Sequence, residues 1–330
     1  MGVMIDGKWT TDEEASALKF NDGRWQREVS VIRHWITADG SSGPTGDGGF
    51  RAEADRYHLF VAYGCPWAHR TLIFRVLKEL EDKISVSIAL PRRSDQGWIF
   101  DSEGEFSDGL LGKHALWEVY AEGHRGYTGR VTVPVLYDKA TGRIVNNESA
   151  DIIRMLNDAF DEAGANAENF YPEPLRSEID ALNEQIYANL NNGVYRAGFA
   201  RSQQAYEEAF DQVFETLDFL EDRLGRQRYL CGDRQTEADW RLFPTLARFD
   251  VAYHYAFKCN LRRLMDYPNL WPYTRDLYQS PGIARTVKPD LYKHGYFSIS
   301  ELRNPLGIVP KGPIVDFTIA HDRERLTAAA

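Results

Sequence analysis

The chain carries three cysteines, Cys65, Cys231 and Cys259, and only the first stands where a thiol could serve as a nucleophile. In "YGCPWAHR", Tyr63 to Arg70, Cys65 directly precedes Pro66 at the start of a helical segment. Proline suits the first helical position, and the unpaired amides and dipole at a helix start favour an anion, so this position predicts a reactive thiolate. The fourth residue of the motif is Ala68, so no second thiol is at hand to close an internal disulfide. A lone thiol must hand its oxidised state to an external thiol, and glutathione is the natural candidate. Cys231 in "YLCGD" and Cys259 in "FKCNL" have no helix-start signal and read as structural. An odd cysteine number without a secretion signal argues against a disulfide framework. The eight histidines form no HExxH, the cysteines form no CxxC, and no metal is expected.

The elements that must position Cys65 follow from periodicity. "RYHLFVAY" is a short apolar, β-prone run, and the helix from Pro66 places Leu72, Ile73, Val76, Leu77 and Leu80 on one face. "KISVSIAL" then alternates Ile84, Val86, Ile88 and Leu90, which predicts a second strand parallel to the first. A Cys-Pro after a strand and before a helix is the arrangement in which thioredoxin-like folds place a catalytic thiol. Residues 91–129 carry many Gly, Asp and Ser around "KHALWEVYAEG" and read as a functional insertion. "RVTVPVLYDKATGRIVNNES" predicts a hairpin, and "ESADIIRMLNDAF" a helix with Ile152, Ile153, Leu156 and Phe160 inward. From Arg176 onward helical periods dominate, including a capping box at Thr236 and Asp239. Upstream, "ADGSSGPTGDGGF" is too glycine-rich for a regular element, and the residues to Phe50 read as an irregular extension.

The fold class expected is therefore α/β plus all-α: residues 1–165 as extension and thioredoxin-like domain, residues 166–330 as an all-helical domain with a C-terminal arm. A chain of 330 residues suits two such cores. Apolar residues make up 43% and charged residues 27%, with no run of about 18 apolar residues, as expected for a soluble globular protein without a membrane span. The N-terminus shows neither a signal peptide nor a lipidation motif, and a cytoplasmic location is expected. A net charge of −10 repels a phosphate backbone, which sets nucleic acid aside as a partner. The tail beyond Asn304 reads as an extended arm, its final alanines disordered.

With the thiol, the strand-helix order and the helical second half, the sequence resembles the glutathione transferase superfamily. Within it, the likeness is to the glutathionyl-hydroquinone reductases, also called Xi-class transferases. The motifs that carry it are "YGCPWAHR", the extension, Gly97-Trp98, "RVTVPVL", "NNES", and tyrosines in "NGVYRAGF", "DVAYHYAF" and "HGYF". The resemblance implies glutathione as co-substrate, no permanently bound cofactor, glutathionyl-hydroquinones as substrates and a homodimer. It implies that Val133, before a cis Pro134, pairs through its backbone with the cysteinyl part of glutathione. Glu148 and Ser149 would hold the γ-glutamyl end, which fits the chemistry of a carboxylate for an ammonium and of a hydroxyl with helix-start amides for a carboxylate. Trp98 would cover the tripeptide, and Arg130 would face its glycyl carboxylate. Tyr195, Tyr253 and Tyr296 would gather over the hydroquinone, each offering an aromatic wall and a hydroxyl; His254 and Tyr255 are further candidates for that pocket.

Two rivals stay open on sequence. An omega-like thiol transferase or dehydroascorbate reductase would use the same mixed disulfide with another acceptor. A non-catalytic glutathione-binding scaffold would keep the fold without turnover.

Overall fold

The computed structural model describes residues 2–301 and 303–327; the final alanines lie outside them. The chain divides into two compact units. One holds the residues to Ala17 together with Glu28–Glu168, and the other holds Leu18–Arg27 and the chain from Asn169 onward. The extension is more regular than its composition suggests. It contains the hairpins β1 (Val3–Ile5) with β2 (Lys8–Thr10) and β3 (Phe20–Asn21) with β4 (Arg24–Trp25), and a parallel pair, β5 (Ile36–Thr37) and β6 (Phe50–Arg51).

The core of the first unit is a four-stranded sheet, ordered β10-β9-β7-β8. Strand β7 (Tyr57–Val61) is buried along its whole length because it has a neighbour on each side, parallel β8 (Ile84–Ile88) and antiparallel β9 (Val135–Asp138). Helix α1 (Pro66–Leu77) crosses over between β7 and β8, and α2 (Leu116–Gly123) follows the insertion. The hairpin from β9 to β10 (Arg143–Asn146) closes around Asp138, which accepts from the Ala140 amide and the Thr141 hydroxyl and is gripped by Arg56 at 2.8 and 2.9 Å. Helix α3 (Ser149–Asp158) then packs on α1 through Ile152, Ile153 and Leu156.

A buried polar line ties the sheet to the insertion. His58 of β7 meets the Ser85 hydroxyl at 2.7 Å and the Ser87 hydroxyl at 2.9 Å, and Ser87 donates to Asp108 at 3.3 Å. If Ser87 spends its proton on Asp108, it accepts from His58 Nε2–H, and Nδ1 accepts from Ser85; this assigns a neutral imidazole. Asp108 also accepts from the amides of Leu110, Leu111 and Lys113, shaping the loop. Burial lowers the His58 pKa to about 4. The unfolded chain takes up this proton as pH falls through its ordinary value, the folded chain only near pH 4, so stability drops across that window. Between pH 7 and 5 wild type is expected to lose about 2 kcal/mol more than His58→Asn in urea unfolding; equal losses would exonerate His58.

The second unit is helical. In order it contains α4 (Arg176–Ile186), α5 (Gly193–Phe199), α6 (Gln203–Leu224), α7 (Glu237–Arg248), α8 (His254–Ala256), α9 (Leu270–Gln279) and α10 (Pro289–Tyr296). Helix α7 starts at the expected capping box, with Asp239 accepting from the amide and hydroxyl of Thr236 at 2.8 and 3.0 Å. Two π-helical turns interrupt the α pitch, Tyr187–Asn191 before α5 and Phe249–Tyr253 after α7. The arm packs back within this unit: Phe317 stacks on Tyr278, and Arg275 donates to the carbonyls of Ile319 and Ala320. Arg323 is fully buried and donates to the carbonyls of Leu224, Gln227 and Arg228, supplying partners that the end of α6 lacks. Among the described residues, no helix is long and apolar enough to cross a membrane.

Candidate functional site

Cys65 is the N-cap of α1, with Pro66 at the first helical position. Its backbone is fixed on both sides, the amide donating to Ala62 O and the carbonyl accepting from His69 N, each at 3.0 Å. The thiol donates to Val133 O at 3.4 Å, and the Val133–Pro134 peptide is cis. Two segments 68 residues apart thus meet at the sulfur. Cys231 and Cys259 are also buried, and burial pushes both thiols up to about 12, so neither competes as a nucleophile at neutral pH.

Glu148 and Ser149 stand at the start of α3. The Glu148 carboxylate caps the helix by accepting from Ala150 N at 3.1 Å. Ser149 donates to Glu148 at 3.4 Å and receives Arg70 Nη1 at 3.5 Å. Arg70, the last residue of the cysteine motif, is buried with its guanidinium 4.6 Å from the Trp67 ring centre. Trp98 is 5% exposed, the Arg93 guanidinium lies 4.1 Å from its ring, and its indole N–H has no partner among the described residues. Arg130 is held within the extension: Nη2 donates to the carbonyls of Ser16 and Ala17 at 2.7 Å, and Nε is 3.7 Å from Glu28. That engagement makes Arg130 a clip for the extension.

In the second unit the three tyrosines, far apart in sequence, meet at their hydroxyls. Tyr296 is central, 2.6 Å from the Tyr195 hydroxyl and 3.1 Å from that of Tyr253. Burial pushes the phenols of Tyr253 and Tyr296 well above their ordinary value, so both are neutral donors. Phe257 stacks on Tyr253 at 5.5 Å, Phe199 on Tyr195 at 6.2 Å, and Trp25 lies 6.3 Å from Tyr195. The Arg27 guanidinium covers the Tyr195 ring at 4.9 Å. Tyr253 ends one π turn, and Tyr195 lies in the helix after the other. Tyr255 is 70% exposed and stacks on Phe297, outside the phenol cluster.

Residues 64–159 match the family model of the glutathione S-transferase N-terminal domain, and residues 203–276 match that of the C-terminal domain. Over 326 residues, 98% of this chain and 99% of the relative, the sequence is 51% identical to the glutathionyl-hydroquinone reductase YqjG of Escherichia coli K12. It is 47% identical to the glutathionyl-hydroquinone reductase PcpF of Sphingobium chlorophenolicum, covering 95% of this chain and 96% of that one. The Xi-class transferase of Natrialba magadii superposes with a TM-score of 0.89 at 44% identity, covering 99% and 98% of the two chains. The chain belongs to the Xi-class glutathione transferases. The glutathione-bound structure of YqjG superposes at a TM-score of 0.90, with 49% identity over 98% of this chain and 99% of that one. The thioredoxin-like and helical transferase folds read from the sequence hold for this transferase.

Sequence reasoning missed the aromatic wall of Phe199, Phe257 and Trp25, and it missed Arg70. The signal for Arg70 was present, since it follows Cys65 on the same buried helix. No local signal marks Trp25, which reaches the cluster from the extension.

Proposed function

We propose that this transferase reduces glutathionyl-hydroquinones to hydroquinones at the expense of glutathione. The observation that carries this reading is the triad of mutually hydrogen-bonded phenols in an aromatic surround. It suits a flat ring with two oxygens, where a plain disulfide substrate would need no such donors. The relatives YqjG and PcpF, named for this activity, support it.

The tripeptide is held by the first unit. Val133 offers backbone to the cysteinyl residue, Glu148 holds the α-ammonium, and the Ser149 hydroxyl with the α3 amides holds the α-carboxylate. The Trp98 indole N–H, a buried donor that costs free energy without a partner, finds its acceptor in the tripeptide. In the first half-reaction the hydroquinone conjugate takes up a proton at the sulfur-bearing carbon as its keto tautomer. The Cys65 thiolate attacks the glutathionyl sulfur, the S–S bond forms, the C–S bond breaks, and its electron pair returns to the ring, which aromatises. The tyrosines hydrogen-bond the ring oxygens, stabilise the tautomer and aid proton transfer. A second glutathione thiolate then attacks the mixed disulfide, freeing oxidised glutathione and the Cys65 thiolate. The protein acts in the cytoplasm as a homodimer with no permanently bound cofactor.

An omega-like thiol transferase is the second reading, favoured by the 42% identical omega-like relative of Schizosaccharomyces pombe. Turnover of a glutathionyl-hydroquinone and of hydroxyethyl disulfide, measured side by side, separates the two. A faster rate on the hydroquinone conjugate is expected; turnover of the disulfide alone would sink the reductase reading, and turnover of neither would leave a binding scaffold.

A further inference from the structure

The donors to the Glu148 carboxylate can be counted. Oε1 accepts from Ala150 N and from the Ser149 hydroxyl, at 3.1 and 3.4 Å. Oε2 accepts from the Ser30 hydroxyl at 3.1 Å. A carboxylate offers about four lone-pair positions, so one remains, on Oε2. Ser30 is 118 residues away in sequence and belongs to the extension, outside the thioredoxin-like core. Its hydroxyl also lies 3.2 Å from Asn147 O, and of the two acceptors the charged one takes the stronger bond.

The backbone around Ser30 is pinned. Asn147 N donates to Ile32 O at 3.1 Å, Ile32 N to Asn147 Oδ1 at 3.3 Å, and His34 N to Val145 O at 2.9 Å. Arg33 grips the Asp151 carboxylate of α3 through Nε and Nη2. Residues 30–34 therefore run as an added edge along β10 and the start of α3, and Ser30 reaches the helix cap from a fixed position.

We propose that Ser30 is a positioning residue for glutathione: it orients Glu148 Oε2 so that the remaining lone pair receives the α-ammonium of the γ-glutamyl group. This rests on the reading of Glu148 as the ammonium partner. The extension then completes the site for the amino acid end of the ligand, a contribution the thioredoxin-like core alone does not supply.

The test is calorimetric titration of wild type, Ser30→Ala, Ser30→Thr and Glu148→Gln with two ligands, glutathione and glutaryl-cysteinylglycine, which lacks only the α-amine. Ser30→Ala is expected to weaken glutathione three- to tenfold, Ser30→Thr to restore it, and neither to alter binding of the deaminated ligand. Thermal unfolding of each variant checks that the fold is kept. If Ser30→Ala weakens both ligands equally, or Ser30→Thr fails to rescue, the role is structural and the inference falls. If Glu148→Gln weakens glutathione while Ser30→Ala does not, the inference falls and the reading of Glu148 stands. If Glu148→Gln binds glutathione as wild type does, both fall.

Discussion

Replacing Cys65 by alanine is expected to lower turnover of a glutathionyl-hydroquinone by about three orders of magnitude or more, because no other group can take its place. The competing thiols are buried, and their thiolates are suppressed by burial. The substitution is small, and the sulfur makes one weak contact, with Val133 O, so the fold should survive. The decisive measurement is an anaerobic incubation without free glutathione, followed by chromatography of the products and intact mass of the protein. Wild type should release one hydroquinone per active site and gain a glutathione-sized adduct. Cys65→Ala should do neither, while still binding glutathione. Stoichiometric release from Cys65→Ala would place the nucleophile elsewhere and end the mixed-disulfide mechanism.

The second large effect is expected at Tyr296. Its hydroxyl is bonded to both other phenols, so Tyr296→Phe disconnects the whole triad, whereas Tyr195→Phe or Tyr253→Phe leaves one pair intact. If the triad supplies the proton and stabilises the tautomer, Tyr296→Phe should slow single-turnover reduction by about 10²–10³. The other two substitutions should cost less. The sign of the pH dependence follows from burial: with the Tyr253 and Tyr296 phenols raised well above 10.0, wild type should show no loss of rate from their ionisation as pH rises towards 10. An unchanged single-turnover rate in Tyr296→Phe would remove the phenols from the chemistry and leave them as a wall.

What could be read in advance divides by the range of the interaction. Cys65 was legible because its environment is local: a strand, a proline and a helix start within a few residues. The β-α-β order was legible for the same reason, as burial on one helix face and along β7 leaves periodic apolar residues. The tyrosines were reached only through family likeness, since Tyr195 and Tyr253 lie 101 and 43 residues from Tyr296 and no period links them. Arg130 shows the limit of reading charge from sequence: a guanidinium suits a carboxylate, but the carbonyls of Ser16 and Ala17 claim Nη2 at 2.7 Å. Arg323, in the polar stretch "AHDRERL", reads as solvated yet is fully buried, because the carbonyls it serves belong to segments almost a hundred residues earlier. Ser30 has no motif at all.

The two π turns, Tyr187–Asn191 and Phe249–Tyr253, bear on how this protein should be compared with others. A π turn closes its hydrogen bond over five residues instead of four, so each behaves as a single extra residue slipped into a helix. Removing that residue would restore the α pitch and swing everything beyond it by about 100°, carrying Tyr195 or Tyr253 away from the others. An aligned sequence with a one-residue gap in either turn should therefore be read as having lost the phenol triad, even where all three tyrosines are still spelled out.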